Sequence, residues 1–272
     1  MNNIRVSYTE KACAHRAHKL GLKLGVAVVE LVNQTEKSPR AIEYVDQYDL
    51  HVSPSGVRLY PRDRKVHGPI QVDFLSGVNN HRRRFGGGNG QAIAKAVGVS
   101  GRFYPTVLDM TAGLGGDSFV LASLGCTVKL FERNPVIACL LADGITRAHQ
   151  VIDQSNSLVD IMNRFAFTEA DSLSLLDKPI GSDDYDVVYL DPMFPNRSKS
   201  AKVKKEMQAF QKIVGPDSDA DVLVDKALQL ARYRVVIKRP VVAGYLADRK
   251  PSYSLSGKNT RFDIFALQKL PS

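Results

Sequence analysis

The sequence of 272 residues predicts an α/β protein built on a doubly wound parallel sheet, with a small α+β region before it. Two observations predict this fold class. From about residue 105, short apolar runs alternate with segments of helical pattern, which is typical of β-α-β units in a parallel sheet. Earlier in the chain, short extended runs surround one helical segment. We therefore divide the chain into an N-terminal region, 1–75, and a larger domain, 76–272.

The N-terminal region is predicted to hold several short strands and one helix. The candidate strands are Ile4–Tyr8, Val26–Val32, Leu50–Ser53, Val57–Tyr60 and Ile70–Phe74, and the candidate helix is Glu10–Leu20. Pro54, Ser55 and Gly56 separate two of the strands and have the composition of a hairpin turn. No motif for chemistry is evident in this region.

The larger domain is predicted to alternate strands and helices. The candidate strands are Thr106–Met110, Thr127–Phe131, Ala166–Glu169, Tyr185–Leu190 and Arg234–Lys238. The candidate helices are Gln91–Val97, Ser118–Leu124, 135–148 and Asp219–Leu230, the third with Asn134 as N-cap and Pro135 as first residue. Two further runs, Ser252–Leu255 and Phe262–Leu267, predict a final hairpin. An antiparallel hairpin at the edge is typical of the Rossmann-like sheet of class I S-adenosylmethionine (SAM) methyltransferases.

Composition is that of an ordinary globular protein, with 44% hydrophobic and 24% charged residues. The net charge of +9 favours a polyanionic partner, first of all RNA or DNA. Three cysteines without a C-x-x-C pair suit a reducing compartment, and the apolar run at 20–32 is too short to span a bilayer. The histidines have no metal-ligand spacing. We expect a cytoplasmic monomer with no metal ion and no membrane contact.

A glycine-rich acidic loop follows the first strand of the larger domain, where ligands of such sheets bind. Its candidate cofactor residues are Asp109, Gly113, Gly115, Gly116 and Asp117. The loop fails the dinucleotide pattern G-x-G-x-x-G because Ser118 stands at the third glycine position. Asp117 would also repel a pyrophosphate at the helix start. SAM has no phosphate and carries an ammonium group that a carboxylate can pair with, so the loop favours SAM over NAD.

Two more acidic residues follow the next two strands. Glu132 ends the second strand, where a carboxylate can accept both ribose hydroxyls. Asp171 and Ser172 follow the third strand, where a carboxylate can accept the adenine amino group. Each acid alone is typical of a solvated surface, but three at successive strand ends together favour a SAM site.

The predicted reaction centre is Asp191-Pro192-Met193-Phe194, directly after the apolar strand Tyr185–Leu190. It resembles the (D/N)-P-P-(Y/F) signature of amino-group methyltransferases, with Met193 in place of the second proline. The Asp191 carboxylate and the Pro192 carbonyl can accept the two N–H bonds of an exocyclic amine, which turns its lone pair toward the methyl donor. Phe194 offers a face for base stacking. The simpler alternative is a proline turn that only ends a strand.

Basic residues form clusters in the sequence, and one of them lies just past this centre. The candidate RNA-binding residues are Arg82, Arg83, Arg84, Arg197, Lys199, Lys202, Lys204, Lys205, Lys238 and Arg239. Cationic side chains near the centre can neutralise the phosphates around an extruded base. The alternative for each cluster is a solvated charged face.

Several segments together resemble the ribosomal RNA small subunit methyltransferase J family. They are HRRRFGGGNGQAIAKAVG (81–98), LDMTAGLGGDSFVLASLGC (108–126), ERNPV (132–136), VVYLDPMFPNRSKSAKVKKEMQAFQKIVGPD (187–217), VVIKRP (235–240) and RFDIFAL (261–267). The resemblance covers about residues 70–267. It implies SAM-dependent methylation of the exocyclic N2 of one guanosine in small-subunit ribosomal RNA, free or in the 30S subunit. It also implies cofactor contacts at Gly116, Asp117, Glu132, Arg133, Asp171, Ser172 and Asp191.

Three alternatives remain at this stage. The same chemistry could act on adenine N6 in DNA or on a glutamine amide in protein. A non-catalytic RNA-binding assembly factor could keep the fold, although intact Glu132 and Asp191 argue against it. An NAD-dependent oxidoreductase is disfavoured by Asp117 and Ser118.

Overall fold

The computed structural model contains two β-sheets that share one hydrophobic core. The structure describes residues 4–31, 47–63, 65, 67–75, 91–150, 156–177, 185–193, 213, 215 and 219–271. A four-stranded sheet is formed by the N-terminal region and a seven-stranded sheet by the rest of the chain.

The small sheet has the strand order β2-β1-β3-β4. Its strands are β1 (Ile4–Tyr8), β2 (Val28–Glu30), β3 (Tyr48–Ser53) and β4 (Gly56–Pro61). The central strand β1 pairs in parallel with both β2 and β3, and β3 and β4 form the predicted hairpin. The turn at Gly56 has φ +117°, a conformation that glycine adopts without a steric penalty.

The large sheet has the order β10-β11-β9-β8-β5-β6-β7. Its strands are β5 (Thr106–Asp109), β6 (Thr127–Glu132), β7 (Phe165–Glu169), β8 (Tyr185–Leu190), β9 (Ala231–Pro240), β10 (Tyr253–Ser256) and β11 (Thr260–Ala266). Strands β5 to β9 are parallel, and the hairpin β10–β11 joins the edge antiparallel to β9. The doubly wound sheet and its terminal hairpin are thus confirmed. The order of strands reverses between β5 and β8.

The described helices pack on the small sheet and on both faces of the large sheet. They are α1 (Ala14–Leu24), α2 (Ala92–Val97), α3 (Gly116–Ser123), α4 (Pro135–Gln150), α5 (Asn156–Asn163) and α6 (Ala220–Leu230). Short 3₁₀ turns occur at Lys11–Cys13, Ser172–Asp177 and Leu246–Asp248. Asn134 caps α4, since its side-chain oxygen accepts the N–H groups of Val136 and Ile137. Helix α5 was not predicted from the sequence.

Alternation along the central strands divides the interior into two layers. On β8, Val187 and Tyr189 face the layer that also contains the small sheet, whereas Val188 and Leu190 face a second layer against α6. Both faces of these strands are buried, as expected for a parallel sheet covered by helices. Because Asp191 continues this alternation, its side chain lies on the side of Tyr189.

The predicted strand Ile70–Phe74 is wrong. Only Ile70 makes a bridge to the sheet, with Leu59, and the segment then packs on α4 instead. Val72 lies against Gly144 of α4, and its carbonyl accepts a hydrogen bond from Arg147 of the same helix. Phe74 stacks on Phe119 with ring centroids 4.8 Å apart. This segment therefore joins the small sheet to the large one, while the boundary near residue 75 stays a prediction.

Cys126 and Cys139 are buried free thiols, as expected for small core residues. Burial raises the pKa of Cys126 to about 12 and that of Cys139 to about 11, so both remain protonated thiols at neutral pH. In the parts of the chain that the structure describes, no helix is long and apolar enough to cross a bilayer.

Candidate active site

The end of β5 carries a buried carboxylate at Asp109. One of its oxygens accepts the N–H of Thr111 at 3.1 Å, and the other accepts the hydroxyl of Ser118. Burial raises the pKa of Asp109 to about 7, against the opposing effect of these two donors. Asp109 therefore holds the glycine loop against the start of α3. The residue is buried and only 2% exposed.

The glycine loop uses its glycines in two different ways. Gly113 has φ +55° and donates its N–H to Glu132 at 2.8 Å. Gly115 has φ +73°, and a Cβ there would lie 2.8 Å from Leu141 Cδ1. The sequence predicted that these glycines let backbone approach a ligand. At Gly115 the side where a Cβ would point is filled by the core, so this glycine also allows the loop to pack.

Glu132, at the end of β6, links the loops that follow β5 and β6. Its Oε2 accepts the N–H of Gly113 at 2.8 Å, and its Oε1 accepts the N–H of Asn134 at 2.7 Å. The residue is only 7% exposed. The carboxylate therefore lies at the ends of β5 and β6, where the sequence predicted a contact with the ribose hydroxyls.

Asp171 and Ser172 follow β7, as expected from the sequence, but they face different surroundings. Ser172 is buried, and its hydroxyl donates to the carbonyl of Met110 at 3.0 Å. This contact fixes the turn after β7 to the end of β5. The side chain of Asp171 remains 44% exposed. Of this pair, Asp171 is the residue whose side chain remains accessible, and its contact with the adenine stays a prediction.

Arg133 forms a double contact with Asp219 at the start of α6. Its Nη2 donates to Asp219 Oδ1 at 2.9 Å, and its Nη1 bonds the other oxygen and lies 3.7 Å from Asp171 Oδ2. The hydrogen bond from Arg133 holds the pKa of Asp219 below its usual value. Arg133 therefore bridges the turns after β6 and β7 and the start of α6.

Asp191 lies at the end of β8, beside β5. Its backbone N–H donates to the hydroxyl of Thr111 at 2.6 Å. The side chain of Asp191 is 40% exposed. Pro192 is buried, and Phe194 lies outside the described residues. The proposed stacking role of Phe194 and the acceptor role of the Pro192 carbonyl stay predictions.

Lys238 joins the two carboxylates that the sequence placed in separate roles. Its Nζ donates to Asp117 Oδ2 at 2.7 Å and to Asp191 Oδ2 at 2.8 Å. Asp117 Oδ2 also accepts the hydroxyl of Tyr189 at 2.8 Å. The sequence had assigned Lys238 to RNA phosphates, and this is corrected: its charge is neutralised by two acids within the site. The sequence indicated only that Lys238 lies near the end of a strand, and the structure shows that this strand is next to β8.

Arg239 was also expected to bind RNA, and this prediction is wrong. The residue is 2% exposed, and its Nη2 donates to the carbonyl of Gly244 at 3.0 Å. Successive residues of a strand point to opposite faces, so Arg239 cannot follow Lys238 to the same side. The other candidate RNA-binding residues, at 82–84 and 197–205, lie outside the described residues.

The donor set at this edge fits SAM. Asp117 stands in the first turn of α3, which disfavours a phosphate there. Asp117 and Asp191 outnumber Lys238, and Glu132 and Asp171 outnumber Arg133, so the charged side chains of the site are negative on balance. SAM carries one carboxylate, one ammonium and one sulfonium, and so one positive charge. Among the described residues, no group of three or more potential metal ligands occurs.

Fold and site define a SAM-dependent methyltransferase. A family model described as "Putative SAM-dependent methyltransferase" matches residues 30–267. A crystal structure of a SAM-dependent methyltransferase from Neisseria gonorrhoeae superposes with a TM-score of 0.68 at 34% identity, covering 96% of this chain and 95% of the other. The predicted class I fold and the SAM cofactor are confirmed.

Curated relatives identify the family more narrowly. Ribosomal RNA small subunit methyltransferase J of Colwellia psychrerythraea is 46% identical over 271 residues, covering 100% of this chain and 95% of the relative. The protein of the same name from Cellvibrio japonicus is 49% identical over 226 residues, covering 83% of this chain and 85% of the relative. This chain belongs to the ribosomal RNA small subunit methyltransferase J family.

Proposed function

We propose that this protein transfers a methyl group from SAM to the exocyclic N2 amine of a guanosine in small-subunit ribosomal RNA. The observation that carries the proposal is Asp191, held at the end of β8 through its backbone by Thr111 and through its carboxylate by Lys238. The names of the curated relatives support the RNA substrate. The choice of guanine N2 is what the sequence resemblance implies.

The proposed cofactor site extends along the ends of β5, β6, β7 and β8. It consists of Asp109, Gly113, Gly115, Gly116, Asp117, Glu132, Arg133, Asp171, Ser172 and Asp191. When bound, SAM supplies a methyl group activated by its sulfonium. We assign Glu132 to the ribose hydroxyls and Asp171 to the adenine amino group. Asp109, Gly115 and Ser172 support the site through buried contacts that shape its loops.

Asp191 is proposed to act as a hydrogen-bond acceptor for the substrate amine. The lone pair of an exocyclic amine is delocalised into the base, so the amine must be turned before it can attack. The Asp191 carboxylate and the Pro192 carbonyl hold its two N–H bonds, and Phe194 stacks on the base. As the nitrogen becomes cationic, the Asp191 carboxylate stabilises the charge, and the proton leaves afterwards. Proton removal before attack is not required.

The net charge of +9 supports an RNA partner for this site. The basic segment 197–205 follows the reaction centre closely in the sequence, and a second basic segment lies at 82–84. We propose that the side chains of both segments contact phosphates. The substrate is free ribosomal RNA or the 30S subunit. We propose that the protein acts as a monomer in the cytoplasm.

The decisive experiment uses tritiated SAM and small-subunit RNA or 30S subunits from a strain that lacks the gene. Nucleosides are separated after digestion, and the expected labelled product is N2-methylguanosine. Label in N6-methyladenosine, or in protein, would support the corresponding alternative substrate instead. RNA binding without label in any fraction would support a non-catalytic assembly factor.

A further inference from the structure

Lys238 forms the central ion pair of the site although no motif in the sequence marked it for that role. Its ammonium lies between the first turn of α3 and the end of β8, within 2.7 Å of Asp117 Oδ2 and 2.8 Å of Asp191 Oδ2. The register of the sheet brings this about. Leu190 pairs with Ile237 on the parallel strand β9, so the next residues lie side by side: Asp191 just after the end of β8 and Lys238 still within β9.

The lysine contact uses one oxygen of Asp191 and restricts its carboxylate. The backbone of Asp191 is already held by Thr111 at 2.6 Å. With Oδ2 held by Lys238, rotation about the side chain is limited, and Oδ1 is the oxygen that this ion pair does not use. A charge-assisted hydrogen bond of this length provides stronger orientation than a neutral one.

The surroundings of Asp191 otherwise disfavour its negative charge. Carboxyl groups face it from α3 (Asp117) and from β5 (Asp109), and the neutral Tyr189 hydroxyl of its own strand donates to Asp117 rather than to Asp191. Although its side chain is 40% exposed, the partial loss of hydration raises the pKa of Asp191. Lys238 lowers this pKa and is the strongest opposing influence, whereas the nearby Asp117 raises it. The positive charge of Arg239 also lowers this pKa, but its effect is smaller.

The ammonium is in turn held in its charged form. Burial disfavours the charge of Lys238, but Asp191 and Asp117 outweigh it and raise the pKa of the lysine. Lys238 therefore keeps its positive charge throughout the range in which the enzyme would work. A protonated Asp191 would present a donor where the substrate amine needs an acceptor.

We propose that Lys238 is the positioning residue of this site: it anchors Asp191 through Oδ2 and places a fixed positive charge against the carboxylate, so that Oδ1 can accept a hydrogen bond from the substrate amine. This inference rests on the proposed function, in which Asp191 accepts that hydrogen bond. Lys238 acts through Asp191 and is not assigned a contact with substrate.

The first test measures the ionisation of Asp191 in the protein without SAM or RNA. The carboxyl carbon of Asp191 is titrated by ¹³C NMR in wild type, K238M, K238R and K258M, and its signal is assigned by its loss in D191N. K238M should raise the midpoint by about one to three pH units, the range typical of losing an adjacent opposite charge. K238R keeps the positive charge, so its midpoint should lie close to that of wild type. K258M removes an exposed lysine and should change nothing.

The second test measures methyl transfer as a function of pH. In K238M the acidic limb of kcat should move to higher pH in the same direction as the NMR midpoint, with a smaller change in the KM for SAM. K238R should recover the wild-type profile in part. If K238M does not fold, the double variant K238M/D117N takes its place, because it removes one charge of each sign. It is then compared with D117N in the same two measurements.

The outcomes separate the two proposals. If K238M, or the double variant against D117N, leaves both the midpoint and the pH profile unchanged, the positioning role is overturned. If the midpoint shifts but wild-type protein forms no N2-methylguanosine, the proposed function fails, and the effect of Lys238 on Asp191 stands.

Discussion

The backbone N–H of Gly113 donates to Oε2 of Glu132 at 2.8 Å, and this contact joins the glycine loop after β5 to the end of β6. The second oxygen of the same carboxylate accepts the N–H of Asn134 at 2.7 Å. One side chain thus shapes two of the loops proposed to contact SAM, so its removal should affect both the loops and the ligand.

We expect E132A to weaken SAM binding about 10- to 100-fold, because hydrogen bonds to a charged group each contribute roughly 1.5–3 kcal/mol. Isothermal titration calorimetry measures the change. E169A is a matched control, since Glu169 pairs with Glu132 in the β6–β7 register but its carboxylate contacts Lys23. An unchanged affinity for SAM in E132A would show that Glu132 does not bind the ribose.

D191A should lower kcat by about 10² to 10³, the loss typical of removing one group that stabilises charge in the transition state. Most RNA binding should remain, because phosphate contacts supply most of it. Single-turnover methyl transfer and filter binding measure the two effects. D225A is the control, since Asp225 pairs with Arg249 on the surface. Near wild-type activity in D191A would contradict the mechanism.

Asp109 should make stability depend on pH in an unusual direction. Its folded pKa of about 7 lies above the ordinary 3.8, so between these values the folded protein binds more protons at this site than the unfolded chain. Its contribution to the free energy of unfolding therefore falls as pH rises from about 4 to 7, by roughly 4 kcal/mol in all. Urea unfolding without SAM should show this fall in wild type relative to D109N. If the free energy of unfolding changes with pH in parallel for wild type and D109N, this contribution of Asp109 is excluded.

G144A should destabilise the junction between the two sheets. Alanine normally favours a helix over glycine, but a Cβ at this position of α4 would lie 2.4 Å from Val72 Cγ1. We expect a loss of about 1–3 kcal/mol in the free energy of unfolding, as for an overpacked core. G101A is the control, because a Cβ there meets nothing within 4 Å. Equal stability of both variants would show that the junction can relax.

Charge reversal at Lys202, Lys204 and Lys205 should weaken RNA binding and reduce its salt dependence. Each phosphate contact that is lost lowers the slope of log affinity against log salt by about 0.7–0.9. Fluorescence anisotropy at several salt concentrations measures the slope. A weaker affinity with an unchanged slope would argue against phosphate contacts by this segment.

Most elements of the large sheet could be predicted because their signals are local. The apolar run Tyr185–Leu190 was predicted with its observed bounds, and Asn134-Pro135 marked the start of α4 correctly. The strand predicted at Ile70–Phe74 was wrong because its apolar residues serve packing on α4. Apolar residues at such spacing do not reveal whether they meet a strand or a helix.

The sequence by itself determined the parallel sheet, the acidic residues at its strand ends and the Asp191 motif. These depend on periodicity and on the rule that ligands meet the carboxyl ends of parallel strands. Only the tertiary structure decided that Lys238 lies between Asp117 and Asp191 and that Arg239 is buried. The physical reason is that these contacts join α3, β8 and β9 across long separations in the chain. Their partners are set by strand order and register, which local patterns do not encode.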